Sequence, residues 1–374
     1  MMNELNIDKT HWKKYRFGDV AIQTKDVVDI ENTNLTRYVA GEHMGSEDIH
    51  IRKWGTVGDG YLGPAFIRKF SKGDILYGSR RTYLKKVAIA DFDGITANTT
   101  FVIKANEKLI EPVLLAHLML SHNFTEYSVT NSRGSVNPYI NWKDIADYEF
   151  LLPPKAEQKR LAELLWAADE VVEKEKREME RMEYFRKLTF EQHTSKKANV
   201  KLENCLIVKK RKSKAPHTFD KYIGLEHIES GSYFTTQNGD PQDVLADSYI
   251  FQKGDLLYSK LRPYLDKCII ADFDGICSTE IIVYDTKPNT SKEYMLNVLH
   301  SKAFLDYIVD KSFGTKMPRV SHELVSDYEL YLPSIDEQEN ILATIGNIIK
   351  QEKRIREQIA LSQQIKQELI NKIY

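Results

Sequence analysis

The sequence predicts an α+β fold made twice: two related globular domains, each followed by a long heptad helix. Three observations predict it. The stretch at 70–95, FSKGDILYGSRRTYLKKVAIADFDGI, and the stretch at 251–276, FQKGDLLYSKLRPYLDKCIIADFDGI, share 17 identities without a gap. Other duplicated phrases lie on either side of them in the same order. Each copy then gives way to a run of apolar residues at alternating steps of four and three. A repeat of this kind decides the architecture before any local propensity does.

YVAGEHM at 38–44 answers YIGLEHI at 222–228, at an offset of 184. SRGSVNPYINWKDIADYEFLLP at 132–153 answers SFGTKMPRVSHELVSDYELYLP at 312–333, at an offset of 180, and Glu157-Gln158 answers Glu337-Gln338. The drift in offset predicts small loop insertions. The expected divisions are a first domain at 1–154, a central helix at 155–194, a second domain at 195–334 and a C-terminal helix at 335–374. Within the domains, 74–77, 87–90, 256–258 and 268–271 read as short strands. Lys72-Gly73-Asp74, Lys253-Gly254-Asp255, Asp93-Gly94 and Asp274-Gly275 read as turns. Helices are expected at 111–121 and 292–310. That mixture predicts a curled sheet with helices packed to one side.

Residues 157–192 contain neither Gly nor Pro. Their apolar positions are Leu161, Leu165, Ala168, Val172, Met179 and Met182. The second run places Ile341, Ile345, Ile348, Ile355, Ile359, Leu369 and Ile373 on the same grid. This spacing suits a left-handed coiled coil. Glu175, Glu352, Ser362 and Lys366 interrupt the seam and argue against a long perfect zipper. An amphipathic helix of this length needs a partner for its stripe, and each run is the obvious partner of the other. The heptads leave orientation open. Equivalence of the two domains favours an antiparallel pair related by a pseudo-twofold axis.

Lys and Arg total 53 against 54 Asp and Glu, so net charge does not announce a nucleic-acid binder and does not exclude one. Cys205, Cys268 and Cys277 make no disulfide framework and read as buried apolar residues in a reducing compartment. The N-terminus has no apolar secretory core, and no window is apolar enough for a spanning helix. A cytoplasmic protein with no membrane partner is expected.

Four constellations were weighed for chemistry. The histidines show no metal-ligand spacing, so no metal site is expected. The glycine-rich run at 54–63 lacks the Lys-Ser/Thr of a phosphate loop and has no counterpart in the second copy. Asn137-Pro138-Tyr139 is one proline short of the N-P-P-Y signature of amino-methyltransferases, and no cofactor-binding glycine motif accompanies it. Asp91/Asp93 and Asp272/Asp274 in the shared Asp-Phe-Asp-Gly-Ile phrase read as turn builders rather than a metal pair. No catalytic residue and no bound cofactor is expected.

Basic and aromatic residues, by contrast, interleave in both copies. Arg80, Arg81, Tyr83, Lys85 and Lys86 follow the first turn, and Lys260, Arg262, Tyr264 and Lys267 follow the second. Arginine reads a guanine edge, while lysine and tyrosine hold phosphates. Residues 196–214 add eight Lys or Arg against one acid, Glu203.

The chain resembles the DNA-specificity subunit of Type I restriction–modification enzymes. The resemblance rests on the duplicated Lys-Gly-Asp-Ile/Leu-Leu phrase and on Leu151-Leu152-Pro153-Pro154 with Glu157-Gln158. Leu332-Pro333 with Glu337-Gln338 repeats the second motif, and each copy leads into a heptad helix. The resemblance implies two target-recognition domains, each reading half of a bipartite asymmetric target in double-stranded DNA, spaced by antiparallel helices. It implies a non-catalytic subunit. Two adenine-methyltransferase subunits would use S-adenosylmethionine, and two motor-nuclease subunits would use ATP and Mg2+. A related system, in which one polypeptide combines restriction and methylation, fits the same sequence.

The resemblance makes 41–63, 77–86 and 132–142 candidate recognition segments, together with 224–243, 258–267 and 312–322. Arg81 and Arg262 are the expected base readers, with Arg80, Lys85, Lys260 and Lys267 on phosphates. Residues shared by both halves serve poorly to tell two half-sites apart. Arg133, Asn137, Tyr139 and Asn141 differ from Phe313, Met317, Arg319 and Ser321 and fit discrimination better; Lys316 adds a further basic candidate. The alternative from another class is a duplicated scaffold for protein partners.

Overall fold

The computed structural model describes residues 7–235, 237–314 and 317–374. The chain divides into two compact units. One is Met1–Lys176 with Glu357–Tyr374, and the other is Arg177–Arg356. Each unit therefore combines one globular domain with stretches of two helices, the central Lys155–Thr194 and the terminal Ile335–Ile373.

In the first unit one four-stranded sheet runs in the order Ala21–Thr24, Thr100–Ala105, Ile75–Gly78, Val87–Ile89. The second unit repeats it as Leu206–Lys209, Ile281–Thr286, Leu256–Ser259, Cys268–Ile270. These strands are short aliphatic runs that bury both faces, as Ile75, Leu76 and Tyr77 and then Leu256, Leu257 and Tyr258 do. A smaller four-stranded sheet accompanies each. It includes one parallel pairing, Arg37–Val39 with Gly94–Thr96 and Tyr222–Ile223 with Gly275–Cys277. A two-stranded clasp, Lys13–Arg16 on Glu149–Leu152 or Val200–Lys201 on Glu329–Leu330, closes each domain before its helix begins.

The duplicated turns have a backbone reason. Gly73 and Gly254 sit at φ 93° and 90°, where a side chain is disfavoured. The Asp74 and Asp255 carboxylates accept the N–H of Ser71 and Gln252 at 2.8 and 2.9 Å. Asp93 and Asp274 accept Lys72 and Lys253 N–H at 2.8 and 2.7 Å. The shared Asp-Phe-Asp-Gly-Ile phrase therefore locks one turn onto another.

The helix expected at 292–310 is two helices, Lys292–Leu299 and Lys302–Lys311, because the Ser301 hydroxyl caps the second by accepting Phe304 N–H. Its first-unit counterparts are Pro112–Leu118 and His122–Thr130, the latter capped by Ser121; the expected helix at 111–121 missed that second piece.

Within each unit the helices pack antiparallel. Leu161 and Leu165, early in the central helix, share a core with Ile370 and Ile373 at the end of the terminal helix. Phe190, late in the central helix, shares a core with Ile341 and Ile345. Val172, Met179, Ile348 and Ile355 are buried as well, while Ala168, Met182 and Ile359 are half-buried. Ile370 takes the buried place assigned to Leu369, which packs at the core's edge.

Each polar interruption finds a polar partner on the facing helix. Lys366 Nζ donates to Asp169 at 2.9 Å, Ser362 to Glu175 at 3.1 Å, and Arg186 Nε to both Glu352 oxygens at 2.8 and 3.0 Å. Two further buried residues tie helix to domain. Gln158 accepts Glu111 N–H and donates to the Leu109 and Pro153 carbonyls, and Gln338 does the same with Ser291, Asn289 and Pro333. These are the glutamines of the duplicated Glu-Gln pair.

Candidate nucleic-acid interface

The strand Ile75–Gly78 leads into a 3-10 turn, Thr82–Leu84, with left-handed residues on either side, Arg81 at φ 50° and Lys85 at φ 46°. The second unit repeats this at Pro263–Leu265 with Arg262 at φ 52° and Asp266 at φ 51°. Each left-handed residue other than glycine costs about 1–2 kcal/mol. A backbone bond holds each arginine in place: Arg81 N–H to the Pro138 carbonyl and Arg262 N–H to the Pro318 carbonyl, both 2.7 Å. The main chain of Arg81 and of Arg262 is thus fixed in the same way in both units. Their side chains stay exposed, beside Tyr83 and Tyr264, which are half exposed at the turn tips.

The same bonds bring together two of the three candidate segments in each unit. Arg80 bridges to Tyr139 and Arg133 to Tyr139; Leu261 bridges to Arg319 and Phe313 to Arg319. The Asn137-Pro138-Tyr139 loop therefore buttresses the turn through its backbone. Exposed side chains at this surface include Arg80, Arg133, Asn137 and Tyr139 in one unit, and Phe313, Met317 and Arg319 in the other. Asn141 donates to Asp144 at 3.0 Å, which also faces Arg133 at 3.4 Å. Arg319 faces Glu280 at 3.2 Å. Lys316 lies outside the described residues.

Two of the expected phosphate contacts, Lys85 and Lys267, are engaged within the fold, as is the neighbouring candidate Lys86. Lys85 pairs with Glu47 at 2.5 Å, Lys86 donates to the Gly41 carbonyl at 2.5 Å, and Lys267 donates to the Leu225 carbonyl at 2.6 Å. Burial lowers the pKa of Lys267. These lysines pin the first candidate segment to the turn. Lys260 has no side-chain partner among the described residues, and it lines a cleft of about 320 Å³ with Tyr249, Phe313, Arg319 and His322. Tyr249 was missed because the repeat comparison passed over it.

Segments 41–63 and 224–243 also face the helices. His50 Nε2 lies 2.6 Å from Asp169, and Arg52 pairs with Glu173 at 2.5 Å. The bond to Asp169 raises the pKa of His50. Burial opposes the Asp169 charge, but His50 and Lys366 outweigh it and hold its carboxyl below the ordinary range. Asp48, His50 and Glu173 come within 4.8 Å of one another, but Arg52, Lys176 and Asp169 already engage them, which makes an ion-pair network.

The model of the Type I restriction modification DNA specificity domain matches the chain twice, over residues 11–184 and 195–368. The chain belongs to that family. Each match covers one specificity domain and most of the helix after it. The EcoDI specificity subunit of Escherichia coli is 25% identical over 302 residues, which is 67% of this chain and 67% of that protein. The MjaVIII specificity subunit of Methanocaldococcus jannaschii is 22% identical over 304 residues, 71% of each. The S subunit from M. genitalium, a solved structure, is 13% identical with a TM-score of 0.49 over 100% of this chain and 99% of that one. No helix among the described residues is long and apolar enough to cross a membrane.

Proposed function

We propose that this chain is the DNA-specificity subunit of a Type I restriction–modification complex. It has no catalytic role of its own. Domains 1–154 and 195–334 each read one half of a bipartite asymmetric target, and helices 155–194 and 335–374 space them. The observation that carries the reading is the paired reading turn: an exposed basic-aromatic tip, Arg80-Arg81 with Tyr83 or Arg262 with Tyr264, built on the same backbone in two copies of one specificity domain.

Partner subunits supply the chemistry. Two adenine methyltransferases use S-adenosylmethionine and flip the target base out of the stack. Two motor-nuclease subunits use ATP and Mg2+. The assembly works on double-stranded DNA in the cytoplasm, without a membrane partner.

The test is methylome sequencing of a host carrying this chain with its methyltransferase, beside the same host lacking this chain. A new bipartite adenine-methylation motif is expected, and exchanging residues 1–154 for those of another family member changes only one half of it. An intact complex with a competent methyltransferase and no new motif makes the chain a scaffold instead.

A further inference from the structure

The two units build their reading surfaces on one backbone and then differ in side chains, four of them at positions that backbone bonds make equivalent. Ser79 N–H donates to the Thr99 carbonyl at 3.1 Å, and Lys260 N–H donates to the Glu280 carbonyl at 2.8 Å. Ile140 N–H returns to the Ser79 carbonyl at 2.9 Å, and Val320 N–H to the Lys260 carbonyl at 3.0 Å. Arg133 pairs with Tyr139 through the same two backbone bonds that join Phe313 to Arg319. Ser79, Thr99, Arg133 and Tyr139 are therefore the structural equivalents of Lys260, Glu280, Phe313 and Arg319. Every one of the four differs in size or charge. The neighbouring turn keeps Arg81, Tyr83 and Leu84 as Arg262, Tyr264 and Leu265, while Thr82 and Lys85 become Pro263 and Asp266.

Two homologous domains that read different sequences need an invariant grip and a variable reader. A second observation points to the reader. In each unit one exposed arginine is oriented by a carboxylate, Arg133 by Asp144 at 3.4 Å and Arg319 by Glu280 at 3.2 Å. One such contact biases the direction of the guanidinium and leaves other donors free for guanine O6 and N7. Arg319 lines the 320 Å³ cleft together with Lys260, whose side chain has no partner among the described residues.

We infer that Arg133 and Tyr139 in the first unit, and Lys260, Phe313 and Arg319 in the second, set the sequence each unit reads, and that Arg133 and Arg319 each read the guanine of a G·C pair. Ser79 is buried with its hydroxyl on the Thr99 carbonyl at 2.6 Å and contributes only by leaving the place of Lys260 empty. The shared Arg81 and Arg262, with Tyr83 and Tyr264, grip the backbone whatever the sequence. This rests on the DNA-reading function proposed above.

The test uses the full chain in complex with its methyltransferase and a panel of DNA duplexes, each changed at one base pair of the methylome-defined target, at fixed salt. Arg319→Ala is expected to lose discrimination at one G·C pair of one half-site by about 5- to 150-fold. Discrimination in the other half-site stays intact, and Arg133→Ala does the reverse. Lys260→Ser, which installs the first unit's residue on an unchanged backbone, alters preference in the same half-site as Arg319→Ala. Full retention of discrimination by all three variants overturns the inference. A uniform loss of affinity across the panel also overturns it, because it marks phosphate contacts. An unaltered complex with no sequence preference at all instead sinks the parent reading.

Discussion

In the first unit the loop carrying His50 meets the helix pair at Asp169, which Lys366 also engages. In the second, the Arg186 guanidinium lies 3.6 Å from the Tyr233 ring centroid while it chelates Glu352. Tyr233 stacks on His300, and His300 bonds Asp266, the left-handed residue that ends the reading turn. Both units thus anchor their loops to a buried charge pair in the helix seam, with different chemistry. The base holds its place, since Lys366 and Arg186 stand 180 residues apart, as the repeat does. The acid moves by one helical turn: Glu352 corresponds to Val172, and Asp169 to Ile349. A fixed cation accepts its counter-charge from either of two neighbouring positions, so the seam tolerates drift in one partner while the other holds.

The largest test of that difference removes one charge. Arg186→Met leaves Glu352 buried without a partner and should cost about 3–5 kcal/mol in chemical denaturation. Lys366→Met leaves Asp169 its bond to His50 and should cost about 1–3 kcal/mol. Equal losses would erase the contrast. Adding Glu352→Leu to Arg186→Met should restore most of the loss.

Next come the glutamine clamps, which the two units share. Gln158→Ala and Gln338→Ala each orphan a buried N–H and two carbonyls, and each should cost about 1–3 kcal/mol. A large cost in only one unit would show that the duplicated clamp does unequal duty.

A pH series separates the units further. The pKa of His50 is raised in the folded state by Asp169, with Glu173 and Asp48 adding to it. Its contribution is therefore complete below about pH 6.5, the unfolded value, and is lost as pH climbs through the raised value. Burial pushes His117 down to about 4, so its contribution is present above the unfolded value and fades as pH falls toward 4. Hydrogen exchange at residues 47–52, corrected for intrinsic rate, should speed up from pH 6 to pH 8.5. His50→Gln should flatten that response.

The smallest effect is expected at the turn both units share. Arg262→Gly relieves a left-handed backbone while loosening the unfolded chain, so stability should move by no more than about 1 kcal/mol. DNA affinity should fall for all sequences alike, with a shallower salt slope. A change of preference at one base pair would return Arg262 to the role of reader.

Two central strands of each main sheet, the turns beside them and the helix seam were legible because the repeat states each of them twice, while the remaining strands, the smaller sheet and the clasp lie largely outside the shared strand phrases. The break at Ser301 was also written in the sequence, as a serine cap ahead of Phe304, but a continuous apolar period masked it. Asp169 and Arg186 escaped because a search for a seam looks for apolar residues, and a buried charge is visible only beside its partner. The role of Arg81 was hidden for another reason. Arginine gives no sign of a left-handed backbone, and the Pro138 carbonyl that holds it is 57 residues away. The variable positions beside it were recognisable as different, but not as one surface, since Ser79 and Thr99 meet only in the folded sheet.

The first unit is assembled from two stretches of chain about 180 residues apart, one ending at Lys176 and the other beginning at Glu357. Ile370 and Ile373 complete the core that holds Leu161 and Leu165, and Tyr374 donates its hydroxyl to the Leu114 carbonyl at 2.8 Å. During synthesis, the amino-terminal domain leaves the ribosome with that face bare. At about 5–20 residues per second, the closing segment follows roughly 10–40 s later. The 1–154 domain is thus finished only after the 195–334 domain has been made, and a chain cut short before Ile370 leaves its earlier domain open.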